Sequence, residues 1–163
     1  MTETLIQEDI VFKIANTNQA FEDGRGLFQQ YANSLDFDLS FQNFSVELKT
    51  IDQQYKKPKG ALLLAYKNEV AAGCVGVREH EPGTAELKRL YVLPEYRSYK
   101  IGWKLLELVL DIAKELHYKY IRLDTLPDQK QAQALYRLFG FYEIQPYRFN
   151  PVTGSVYMEK KLI

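Results

Sequence analysis

Glu86-Leu87-Lys88-Arg89-Leu90-Tyr91-Val92-Leu93-Pro94-Glu95-Tyr96-Arg97-Ser98-Tyr99-Lys100-Ile101-Gly102 reads as a strand, a short basic loop and the opening of a helix. After Gly102, Leu105, Val109, Ile112 and Leu116 recur at i, i+4, i+7 and i+11, which gives that helix one buried face. The first N–H groups of a helix lack intrahelical partners, and its dipole favours negative charge there. Arg97, Lys100 and Lys104 add positive charge at the same place. A phosphate or pyrophosphate is therefore expected over the N-terminus of the helix that starts near Gly102.

Working outward, helical and strand signals alternate. Val11 to Ala15 is a first strand, and from Asn18 onward Phe21, Phe28, Tyr31 and Leu35 fall at helical spacing. Ser45 is placed to cap a second helix whose Leu48, Ile51 and Tyr55 share a face, until Lys56-Lys57-Pro58-Lys59-Gly60 breaks the pattern. Ala61–Tyr66 and Val70–Arg78 flank Lys67-Asn68-Glu69 as a hairpin, and His80 to Thr84 turns the chain into a strand over Ala85–Leu93. Ile121–Thr125 is a further strand. Ala132, Leu135, Tyr136 and Phe139 form a helix face ended by Gly140, and Tyr142–Tyr147 and Ser155–Leu162 close the chain as two strands. The order predicts a mixed α/β sheet in a single domain, residues 1–163.

Composition narrows the partners. Lys+Arg and Asp+Glu are equal at 21 each, so no global field draws the chain to nucleic acid or to an anionic membrane. One cysteine, Cys74, and two histidines give neither a disulfide framework nor a metal cluster, and no metal is expected. A polar, acidic start (Thr2, Glu3, Glu8, Asp9) and the lack of a long apolar run point to a soluble cytoplasmic protein.

Three segments together resemble the GCN5-related N-acetyltransferase (GNAT) family. Arg97 to Gly102 is similar to its pyrophosphate loop, Ile121-Arg122-Leu123-Asp124-Thr125 to the strand that follows, and Ala132 to Phe141 to its Ala-x-x-Leu-Tyr-x-x-x-Gly-Phe signature. Lys100 stands where the first loop glycine is expected, and Ser98 replaces another common glycine. The resemblance implies a splayed, mostly antiparallel central sheet flanked by helices, and acetyl-coenzyme A as co-substrate. It implies coenzyme contacts from Leu90, Tyr91 and Val92, chiefly through the backbone, from Arg97, Ser98, Tyr99, Lys100, Ile101, Gly102 and Trp103, and from Gln129. Tyr136 corresponds to the general acid that protonates the departing thiolate. A phenol with a pKa of about 10 stays protonated where a thiol of about 8.5 is ionising. Glu86 corresponds to the general base of some members. The acceptor would be a primary amine on a small molecule, peptide or protein, attacked directly in a ternary complex. A homodimer is an allowed assembly, and a non-catalytic acyl-coenzyme A binding module is the alternative reading.

A structural reading stands beside each functional one. Tyr136 also fits as a core tyrosine beside Leu135 and Phe139, and Glu86 as one half of an i, i+2 pair with Lys88. On an extended strand Glu86, Lys88, Leu90 and Val92 would project to one face. Cys74 reads as a small buried residue, His80 and His117 as solvated, and Lys56, Lys57 and Lys59 as an exposed turn. Leu35 to Phe44, with Asp36, Asp38 and several phenylalanines, is one candidate acceptor wall, and the loop around Tyr147 and Asn150 is another.

Overall fold

A computed structural model describes residues 9–36 and 38–163, with residues 41 and 42 as backbone alone. Thr2, Glu3 and Glu8 of the polar, acidic start, and Phe37 and the side chains of Phe41 and Gln42 within the Leu35 to Phe44 segment, lie outside the described residues. Strand β1 (Ile10–Ile14) leads into helix α1 (Asn18–Asn33), whose first turn is capped by the Thr17 hydroxyl accepting from Ala20 N at 3.1 Å. A 3₁₀ turn (Leu39–Gln42) and two short helices, α2 (Phe44–Lys49) and α3 (Ile51–Gln54), follow. Ser45 is not the cap that the sequence suggests. Asn43, at φ 56°, starts α2, and the helical path breaks at Thr50, whose hydroxyl folds back onto Val46 O at 2.7 Å.

Strands β2 (Ala61–Lys67), β3 (Val70–Glu81) and β4 (Thr84–Val92) form a meander. Asn68 and Glu69 both hold positive φ, 51° and 69°, as a two-residue turn matched to strand twist requires. β3 runs further than expected, so His80 sits on a strand and Gly83, at φ 86°, makes the turn. The basic loop contains a 3₁₀ segment (Pro94–Tyr99), and helix α4 (Ile101–Glu115) begins one residue before Gly102. Strand β5 (Tyr120–Thr125), helix α5 (Lys130–Leu138) and strands β6 (Tyr142–Ile144) and β7 (Val156–Lys161) complete the chain.

The seven strands order as β1-β2-β3-β4-β5-β7-β6, antiparallel at every junction except β4–β5. That parallel pair is brief. Thr84, Ala85 and Glu86 pair with Tyr120, Ile121 and Arg122, and beyond them the strands part. On one face α4 and α5 cover Leu63, Val75, Val77, Leu87, Ile121 and Met158; on the other α1–α3 cover Leu62, Leu64, Cys74 and Tyr91.

A bulge shifts the phase of β4. Cys74 pairs with Tyr91 while Gly76 pairs with Lys88, so β4 carries one extra residue, and Arg89 takes the left-handed conformation at φ 60°. Before the bulge Ala85 and Leu87 pack toward α4; after it Leu90 and Val92 do. Glu86 and Lys88 consequently point to the opposite face from Leu90 and Val92. The single-face expectation fails because period-two alternation holds only across an unbroken ladder.

Candidate active site

Where β4 and β5 part, they open a cavity of about 690 Å³ that reaches from the start of α4 to the end of α1. Its floor is the segment Leu87–Val92, whose backbone has no ladder partner on the β5 side beyond Glu86. Backbone N–H and C=O groups released from a ladder in a cleft need partners, and a peptide-like ligand arm supplies them.

At one end lies the N-terminus of α4. Lys104 N, at 3.3 Å from Lys100 O, is bonded back to the start of the helix, which leaves the N–H groups of Ile101, Gly102 and Trp103 without a backbone partner among the described residues. Lys100 stands in the left-handed region (φ 59°, ψ 27°), so the lysine adopts the conformation for which glycine is favoured at this position. The Arg97 guanidinium donates to Val92 O at 2.9 Å and lies over the Tyr91 ring, which fastens the 3₁₀ segment to the end of β4. A Cβ on Gly102 would only touch Val92 Cγ2 at 3.8 Å, so protein packing does not demand glycine there.

Of the residues expected to hold coenzyme, Leu90, Tyr91, Val92, Arg97, Lys100, Gly102, Trp103 and Gln129 line this cavity. Ser98, Tyr99 and Ile101 do not. Ser98 is exposed, the Lys67 ammonium lies over the Tyr99 ring, and the Ile101 side chain is buried beneath α4. Trp103 sets its indole against Phe139 with centroids 4.7 Å apart and leaves 46% of its surface exposed. Gln129 has a local task as well. Its Oε1 accepts from Thr125 Oγ1 at 3.0 Å and from Leu126 N at 3.3 Å, pinning the turn from β5 into α5.

Tyr136, on α5, is buried against Phe141 and also lines the cavity. Its hydroxyl makes no hydrogen bond to a described residue. Among the described residues no buried side-chain N or O lacks a partner, so the phenol oxygen is open to the cavity. Burial raises its pKa, and the Tyr31 and Asp124 side chains raise it further, so the proton is held at neutral pH.

Glu86 lies outside the cavity wall and is 1% exposed. Arg78 approaches one of its oxygens at 3.3 Å, while Arg148 and the Tyr147 hydroxyl donate to the other. Burial would raise its pKa, but Lys88, Arg148 and Arg78 outweigh that and hold it at about 2. A carboxylate so held is a weak proton acceptor.

Several wall residues are not individually expected from the sequence, although Asp124 lies in the motif strand and Leu39 in the first candidate acceptor wall. Lys88, 3% exposed, comes from β4, and burial followed by the Arg89 charge lowers its pKa to about 8. Asp124, half-buried on β5, accepts from Asn150 Nδ2 at 3.2 Å. Tyr31, Ser34 and Leu39 close the far end. Arg89 is held by Glu47 of α2 through Nε at 3.3 Å and a second nitrogen at 2.7 Å, and the Tyr55 hydroxyl completes Glu47 at 2.7 Å. A Cβ on Gly76 would meet the Tyr55 ring at 2.5 Å, so glycine is what lets that ring lie on β3. Alternating polarity along β4 and β5 shows Lys88 and Asp124 as strand residues, but only the splay shows that they face one cavity.

The remaining candidates settle elsewhere. Cys74 is fully buried, its Sγ 3.3 Å from Arg89 O, and burial pushes its thiol pKa well up. His80 rests against the Tyr147 ring at 4.8 Å, its Nε2 3.8 Å from Glu81, and so is packed on the sheet face rather than solvated. In the first proposed acceptor wall, Asp36 and Asp38 are exposed and Asp38 caps the 3₁₀ turn by accepting from Ser40 N. In the second, Asn150 lines the cavity and Tyr147 does not. Among the described residues no helix is long and apolar enough to cross a membrane.

Comparison with known proteins agrees with this geometry. A Schizosaccharomyces pombe protein named as an N-acetyltransferase is 38% identical over 146 residues, covering 88% of this chain and 90% of its own. An acetyltransferase from Streptococcus agalactiae superposes with a TM-score of 0.76 at 23% identity, over 94% of this chain and 99% of its own. A Salmonella typhimurium structure that holds its cofactor acetyl-CoA shares the fold with a TM-score of 0.70 at 13% identity, over 95% of each chain. The Acetyltransferase (GNAT) family model matches residues 27–141. With strands parting over a helix N-terminus and a phenol open to the cleft between them, the chain belongs to the GNAT acetyltransferase family.

Proposed function

We propose that this chain transfers the acetyl group of acetyl-coenzyme A directly to a primary amine. The observation that carries the reading is the position of Tyr136, a protonated phenol whose oxygen opens onto the cavity between the splayed strands. The pyrophosphate lies over the first turn of α4 beside Arg97 and Lys100, and the pantetheine arm pairs with the backbone of Leu90–Val92. The lone pair of the neutral amine attacks the thioester carbon, the C–S bond breaks with its electrons going to sulfur, and Tyr136 donates its proton there; the attacking nitrogen, positive once bonded to carbon, gives up one proton to water, and a proton from water restores the phenol. A β4 backbone N–H receives the carbonyl oxygen while it is anionic.

For Glu86 we propose a role other than base. Its low pKa and its place behind Lys88 suit a fixed counter-charge, and the amine sheds its proton to water before attack. No observation favours the non-catalytic module, since Lys100 keeps the backbone conformation that the loop needs.

Direct transfer is tested by initial-rate kinetics with an amine panel, following release of free thiol. Intersecting plots, with turnover retained in Cys74→Ala, are expected. Parallel plots together with a stable acetyl-protein formed from acetyl-coenzyme A alone would contradict it.

A further inference from the structure

A second cleft, of about 540 Å³, lies where the end of β1, the first turn of α1, the segment after α3 and the start of β2 meet. Small-molecule sites occupy about 300–1,000 Å³, so the cleft is of a size to take one. It shares no lining residue with the active cavity. The two sit toward opposite ends of α1: between Phe21, in the cleft, and Tyr31, in the active cavity, the helix climbs about 15 Å.

The walls are apolar and the mouth is basic. Phe21 and Tyr55 supply aromatic rings, Ile14 an aliphatic side chain left 43% exposed, and Ala15, Gly60 and Ala61 are too small to fill the space. A Cβ on Gly60 would meet Val77 O at 2.7 Å and Gln54 O at 2.8 Å, so glycine is what lets the chain run this close to β3 and α3. The Tyr55 hydroxyl donates to Glu47 at 2.7 Å, away from the cleft's charged mouth. Lys56, Lys57 and Asn16 complete the lining, which contains no carboxylate. Lys59 pairs with Glu79 at 3.2 Å, but Lys56 and Lys57 are exposed and make no ion pair among the described residues. The first turn of α1 carries no acidic residue either, so the helix dipole adds to the positive potential.

Exposed lysines in a turn are ordinarily solvated. Set at the mouth of an apolar cleft that holds no acid, the same two lysines complement a ligand with an apolar body and one negative charge. We propose that this cleft binds a small aromatic carboxylate, its ring against Phe21, Tyr55 and Ile14 and its carboxylate at Lys56 and Lys57. A ring matches the aromatic walls and, unlike an alkyl chain, gives up no internal rotations on binding. An amine is repelled by the two ammonium groups, which sets this ligand apart from the acceptor of the active cavity. Nothing in the site depends on acetyl transfer, since none of the transfer residues lines it.

Isothermal titration calorimetry of the full chain, with coenzyme A at saturation to occupy the active cavity, tests this with three matched probes: 2-naphthoate, 2-naphthalenemethanol and 2-naphthylmethylamine. Naphthoate should bind saturably and about 10-fold more tightly than the alcohol or the amine, the worth of two partly exposed ion pairs, and the advantage should shrink at high salt. Lys56→Glu combined with Lys57→Glu should remove that advantage, and Lys56→Arg combined with Lys57→Arg should keep it. Melting curves without ligand check that the variants are folded. Equal affinity for all the probes, no saturable binding of naphthoate, or binding undiminished in the folded double glutamate variant would overturn the proposal.

Discussion

Glu86 and Tyr136 show how one residue's surroundings decide its chemistry. The folded-state pKa of Glu86, about 2, lies below the ordinary carboxyl value of about 4.3. A depressed pKa means that the charged form stabilises the fold: the contribution is fully present above about pH 4.3 and is lost as pH falls toward 2. Replacing Glu86 with Gln should therefore lower the melting temperature at pH 7, and the gap to the native chain should narrow through that window. Melting curves recorded from pH 7 to pH 2 check this, and a constant gap would mean that the Arg78 and Arg148 contacts contribute nothing through charge. The motif around Tyr136 was legible in sequence, and so was the identity of Glu86. What surrounds Glu86 was not, because Arg78 and Arg148 reach it from β3 and from the segment before β7, and their approach depends on the folded sheet.

At the scale of elements, the bulge in β4 is the feature that sequence could not supply. Arg89 looks like one more residue of an alternating strand, yet it holds φ 60° with its guanidinium on Glu47 and its carbonyl accepting from Cys74. The ion pair thus ties α2 to the strand whose backbone floors the cavity. Removing one partner strands a buried charge, so Glu47→Ala should destabilise the fold by about 3–5 kcal/mol in denaturant titration. Glu47→Ala combined with Arg89→Met should be less damaging than the single change, and an additive loss would argue against the pairing. At the start of α4, Gly102→Val has room within the protein, since a Cβ meets only Val92 at 3.8 Å. It should melt close to the native chain without ligand but lose most of its stabilisation by coenzyme A. Equal stabilisation of both would place the phosphates elsewhere. The helix and its basic loop were readable from periodicity and charge; the boundaries moved by a residue because a 3₁₀ turn absorbs part of the loop.

For the whole molecule, the account is a sheet covered on both faces whose two halves share three ladder pairs at β4–β5 and then diverge. Alternating apolar residues predicted the strands and their order in the chain. Divergence is invisible to such a pattern, because Leu87–Val92 keep strand-like sequence whether or not a neighbour pairs with them. A ligand that fills the gap binds only the folded state, so coenzyme A at 100 times its Kd should stabilise the chain by about 2.7 kcal/mol, and a pantetheine fragment without phosphates by much less. The claim on which the account turns is that Tyr136 gives its proton to the departing sulfur. Once an acceptor is known, single-turnover acetyl transfer by Tyr136→Phe measures it most directly, since the ring against Phe141 remains and only the hydroxyl is lost. The account predicts a rate about 10²–10⁴-fold below that of the native chain, with coenzyme affinity and melting temperature little changed. Transfer at the native rate, with the chemical step limiting, would contradict it.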